Sequence, residues 1–104
     1  MKRKIKKLKC IIAPAEKRPY VAEIEDSLQK MQEIVGGYIE TFLFSSDVRV
    51  VANEEARILG LKDNKRLPGV KGDVILLSSK IKTDGEFVGL SDDEIEGMME
   101  ILNV

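Results

Sequence analysis

Tyr38-Ile39-Glu40-Thr41-Phe42-Leu43-Phe44, Ser45-Ser46-Asp47, then Val48-Arg49-Val50-Val51-Ala52 is the stretch that decides the fold. Both flanks are rich in β-branched and aromatic residues, which suit a pleated, half-buried surface. The polar residues between them suit a short turn, so the stretch predicts a β-hairpin. Upstream, residues 7–13 and 20–24 read as a second pair of strands, interrupted by the segment from Pro14 to Pro19. Tyr20, Ala22 and Ile24 fall on one face of the latter strand.

Between the hairpins lies a helix. Asp26 or Ser27 can cap its start, and Leu28, Met31, Ile34 and Val35 share one face. Gly36 and Gly37 end it, because glycine tolerates the left-handed conformation of a helix C-terminus. After the central hairpin, Asn53 with Glu54 and Glu55 predicts a short helix closed by Gly60. A loop follows over 61–72. Residues 74–77 are apolar without alternation, as in a strand covered on both faces. A turn at 83–85 precedes a short strand at 86–88. Ser91-Asp92-Asp93-Glu94 is a capping box, opening a helix whose Ile95, Met98, Met99 and Leu102 form one apolar face. The expected order is ββαββαββα. It describes a single α+β domain over 8–104, with a mixed or antiparallel sheet built from hairpins and helices packed on one side.

Composition narrows the class. The chain has 104 residues, 43% hydrophobic and 34% charged, so it can bury one core without staples. Lone Cys10 excludes an internal disulfide and fits a reducing compartment. It alternates with Leu8 and Ile12, as a buried small hydrophobe would. No apolar run approaches the length of a membrane span, and the basic start lacks the apolar run of a signal peptide. The expected compartment is the cytoplasm. Lys2, Arg3, Lys4, Lys6, Lys7 and Lys9 hold six of the 17 basic residues, leaving 11 against 18 acids in the rest. That acidic body disfavours nucleic acid, since phosphate neutralisation drives most such binding. Residues 1–7 read as a solubilising basic tail running into a lysine-guarded strand.

Histidine is absent from the sequence. That removes the usual general base and the commonest metal ligand. No phosphate-binding glycine loop or nucleophile elbow is present. The acids at 92–96 do not have calcium-loop spacing, and capping accounts for them. The expectation is a non-enzyme with neither metal nor cofactor. Binding residues are sought instead at Gly36, Gly37, Tyr38 and Glu40, where a ligand can approach backbone N–H groups beside an aromatic face and a carboxylate. A helix stop explains the same glycines. Asn53, Glu54, Asn64 and Arg66 carry polar groups suited to amides, phosphates and base edges, or else serve as caps and loop residues.

Val35-Gly36-Gly37-Tyr38-Ile39-Glu40 belongs to a wider pattern. Asn53-Glu54-Glu55-Ala56-Arg57, Leu59-Gly60-Leu61, Asn64 and Arg66 follow it, then Gly72-Asp73-Val74, Gly85 and Leu90-Ser91-Asp92-Asp93-Glu94. Over roughly residues 8–100 this pattern resembles a family of short phage and mobile-element proteins of unknown function. The lysine-rich start and Lys65 depart from it. The resemblance implies a phage or mobile-element context more than an activity, and with the missing catalytic groups the expectation is an accessory, anti-defence role in the host cytoplasm. Combined with the candidate residues, it leads to the expectation of a nucleotide-like small-molecule ligand. The alternative is an acidic interaction module acting on a host or phage nucleic-acid enzyme. An exposed edge strand would allow a homodimer.

Overall fold

A computed structural model describes residues 6–102. The elements are β1 (Lys7–Ala13), β2 (Tyr20–Glu25), α1 (Leu28–Val35), β3 (Ile39–Leu43), β4 (Val48–Asn53), β5 (Val74–Ser78) and α2 (Asp92–Ile101). They form one five-stranded sheet in the order β2-β1-β5-β4-β3. Every pairing is antiparallel. Both expected hairpins form, with Cys10 opposite Ala22 in one and Thr41 opposite Val51 in the other. Strand β5 joins them, pairing Leu76 with Ile11 on one side and with Val50 on the other.

The order and helix count differ from the ββαββαββα expectation: two helices accompany a sheet-dominated fold. The segment 54–60 is a run of turns. Its backbone bonds mix spacings: Gly60 N–H to Arg57 O at 3.1 Å, Leu59 N–H to Glu55 O at 2.9 Å, and Leu61 N–H to Ala56 O at 3.0 Å. A regular helix needs a buried stripe to offset its nucleation cost. Here Ala56 is buried while Ile58 and Leu59 face solvent. The expected strand at 86–88 reduces to a single bridge between Ile81 and Phe87.

The helices lie on opposite faces of the sheet, not on one. Met31 and Val35 of α1 pack with Leu8, Cys10, Ile12, Val51, Ile75 and Leu77. Met98 of α2 and the following Leu102 pack with Ile11, Ala13, Val48, Val50, Val74 and Leu76. Side chains alternate across a strand, so β1 and β5 each feed both clusters. The two-sided burial read from residues 74–77 already required a cover on each face.

The caps act as their residue types dictate. The Ser27 hydroxyl accepts from Lys30 N, and Gly36 ends α1 with φ of 85°. Ser91 and Glu94 form the reciprocal capping box of α2. Of the expected basic tail, Lys2, Arg3 and Lys4 lie outside the described residues. Lys6 pairs with Glu86 at 2.7 Å and Lys7 opens β1. Lys9 reaches Asp92 at 2.7 Å and ties the start of α2 to the sheet. That contact raises the Lys9 pKa and lowers the Asp92 pKa, in each case chiefly through the hydrogen bond between them. Burial pushes the Cys10 thiol up to about 11, in keeping with a neutral core side chain.

Candidate functional site

The candidate residues separate into two sorts. Asn53, at the end of β4, is 1% exposed. Its Nδ2 donates to Val35 O at 3.1 Å, and its Oδ1 accepts from Glu55 N–H at 2.8 Å. It thus joins the end of α1 to the turn that follows β4. A Cβ on Gly37 would lie 3.0 Å from that Nδ2, so the second glycine makes room for this amide. Glu54 N–H donates to Tyr38 O at 2.9 Å and seals the same junction. Gly36 and Gly37 N–H donate to Gln32 O at 2.8 and 3.1 Å, so these glycines and Asn53 spend their polar groups on nearby backbone. Tyr38 stands beside them with 64% of its surface exposed.

Asn64 does the corresponding work in the 61–72 loop. Its Nδ2 donates to Ala13 O and Gly72 O, both at 3.0 Å. Its Oδ1 accepts from Arg66 N–H at 3.0 Å and Leu67 N–H at 3.2 Å. Both heavy atoms of a 5%-exposed amide are thereby satisfied. Asn64 N–H also donates to Val70 O at 2.8 Å, which fixes the far limb of the loop. Arg66 donates from Nη1 to Leu102 O at 3.0 Å, beneath the end of α2.

Glu40 and Glu54 come together elsewhere. They line a groove of about 460 Å³ with Phe42, Arg57, Ile58 and Lys71. Its floor is the β3–β4 hairpin, where Glu40 sits opposite Ala52 and Phe42 opposite Val50 on one face. One wall is the turn after β4, held by Asn53; the other is the segment from Gly69 to Lys71, held by Asn64. The two buried amides thus set the walls of a site that neither of them lines. Phe42 is 38% exposed, so its ring face is accessible. Lys71 Nζ pairs with Asp63 at 2.6 Å. Among the described residues, no carboxylate pairs with the Arg57 guanidinium. Carboxylates, a cation and an aromatic face thus share one concavity on a rigid sheet.

Phe42, Arg57 and Lys71 were not among the candidates read from sequence. Alternation with Glu40 places Phe42 on the same face, and that signal was present. Arg57 and Lys71 reach the groove through two irregular segments whose paths no local pattern specifies.

These features define a class: a five-stranded antiparallel sheet with one helix on each face and a groove at the β3 end. The chain belongs to the family described as a domain of unknown function, DUF3846, whose pattern matches residues 8–103. Comparison with curated proteins and with solved structures found no match. Among the described residues, no helix is long and apolar enough to cross a membrane.

Proposed function

We propose that the protein is a non-enzymatic binder of a nucleotide-like small molecule, and that the β3–β4 groove is its site. The observation that carries this reading is the set of side chains around one concavity: Arg57 and Lys71 for an anionic group, Phe42 for a planar ring, and Glu40 and Glu54 for amino or hydroxyl donors. Its volume of about 460 Å³ suits a ligand of nucleotide size, since small-molecule sites commonly span roughly 300–1,000 Å³. Charge-assisted bonds would fix the anionic end, and a ring stacked on Phe42 would fix the other. No covalent step is assigned. The role that goes with this reading is that of a phage or mobile-element accessory protein. It would sequester a nucleotide signal in the host cytoplasm.

Native mass spectrometry with a panel of linear and cyclic nucleotides tests it. A discrete added mass, lost in Phe42→Ala and Arg57→Ala, is the expected result. A clean unliganded mass with every nucleotide would overturn it. The second reading, an acidic module for a basic enzyme, draws on exposed Glu23, Glu25, Asp92 and Asp93. It requires binding to that partner that weakens steeply with salt.

A further inference from the structure

The two edges of the sheet are built differently. In the β3–β4 ladder, Glu54 N–H donates to Tyr38 O at 2.9 Å and Phe44 N–H to Val48 O at 2.8 Å. Bonded pairs recur every second residue in an antiparallel ladder. Glu40 and Phe42 therefore bond inward, to Ala52 and Val50. The N–H and C=O groups of Ile39, Thr41 and Leu43 point to the open edge. Four of the five β3 residues are exposed, Leu43 at 57% among them, and no lysine, proline or bulge guards the strand. Such an edge is a template for another strand.

The β2 edge has the guard that β3 lacks. Asp26 N–H donates to Lys6 O at 2.9 Å, so Val21, Glu23 and Glu25 turn their backbone groups outward there. A two-fold pairing of this edge about Glu23 would set that carboxylate against its own copy. On β3 the same operation is favourable. Centred on Thr41, it places Thr41 opposite Thr41, Ile39 opposite Leu43 and Glu40 opposite Phe42. Apolar residues then meet on one face, and no like charges oppose one another on the other.

We infer that the protein forms a two-fold homodimer by antiparallel pairing of β3 with β3 of a second copy, in the register centred on Thr41. The sheet becomes ten strands wide. Phe42 of the second copy lies across from Glu40, on the groove face, and extends each groove with an aromatic wall. That wall bears on ligand binding only under the nucleotide reading above; the pairing itself does not depend on it.

Analytical ultracentrifugation of the full chain over a range of concentrations is the test, read against a chain mass of 11.7 kDa. A species at twice that mass is expected. Thr41→Pro removes an outward donor while sparing the β4 ladder, and should raise the dimer Kd at least about tenfold. Leu43→Glu places a carboxylate beside Ile39 of the second copy and beside Arg49 of its own chain, so it should fold and dissociate likewise. Thr41→Cys reports the register. The introduced thiols should form an intermolecular disulfide under mild oxidation, because facing residues in a bonded pair lie within disulfide reach. Glu40→Cys, offset from its own copy, should not. Cys10 is fully buried and does not compete.

A monomer at every concentration would overturn the inference and leave the edge to a strand from another protein. A dimer indifferent to both Thr41→Pro and Leu43→Glu, with no disulfide from Thr41→Cys, would overturn it by placing the contact elsewhere. Nucleotide binding by a monomer would sink this inference and spare the proposed function; a β3 dimer that binds no nucleotide would do the reverse.

Discussion

Asn53 and Asn64 on one side, and Glu40 and Glu54 on the other, were drawn from the same motif blocks, yet they do opposite things. The two amides are buried and their donors and acceptors are taken up by backbone. The two carboxylates are exposed in the groove whose walls those amides hold. A polar residue beside a groove is therefore not evidence of contact with a ligand. The test is whether its polar atoms are already satisfied.

The largest effect should come from Asn64→Ala, which removes four hydrogen bonds, two to the carbonyls of Ala13 and Gly72 and two from the N–H groups of Arg66 and Leu67. An unsatisfied buried group costs about 1–3 kcal/mol, so a total of about 3 kcal/mol and a fall in Tm on the order of 15 °C are expected. Calorimetry measures it. Asn53→Ala breaks two bonds rather than four and should cost about 2 kcal/mol. A variant as stable as the parent would break the comparison, because it would show the amides to be spare.

Gly37→Ala comes next, with an expected loss of about 1 kcal/mol from crowding the Asn53 amide. The loss should shrink when Asn53 is also replaced by Ala, since the crowded group is gone. Denaturant titration of the double-mutant cycle would expose the coupling. Additive losses would mean that the two residues do not act as one junction.

The groove residues should behave in the reverse way. Glu40→Gln, Glu54→Gln and Arg57→Ala are surface changes and should stay within about 0.5 kcal/mol of the parent. Under the proposed function they are the ones that alter nucleotide binding. A groove variant that unfolds the protein, yet binds normally when folded, would erase the distinction.

The smallest effect concerns pH. The Lys9 ammonium beside Asp92 lowers the pKa of that carboxyl below 3.8. The stability it gives is therefore present above the unfolded carboxylate pKa, and is lost as pH falls through the folded value. Lys9, raised above 10.5, loses its share only as pH rises through its folded value. Asp92→Asn should flatten the acid limb of a stability-against-pH curve slightly. The amides of Asn53 and Asn64 do not titrate, and their contribution should be level across the same range.

The hairpins, the cap of α1 and the capping box of α2 were legible because their causes are local. A period of two, a serine three residues before a free N–H, and a glycine after an apolar stripe each act within a few residues. The reading failed at 54–60, where Asn53 and two glutamates resemble a helix start. Asn53 does cap Glu55 N–H, but the apolar residues beyond it find no core to cover. It failed again on the side taken by each helix.

The sequence by itself located the two hairpins and β5 and which of their residues share a face, and showed that β5 is covered twice, but it overstated 86–88 as a strand. Tertiary structure decided that β5 lies between β1 and β4, that α1 and α2 cover opposite faces, and that Glu40 and Glu54 meet Arg57 and Lys71 in one groove. The physical reason is range. Alternation and capping are settled by neighbours along the chain, whereas sheet order and the use of a polar side chain depend on which distant backbone comes to lie beside it.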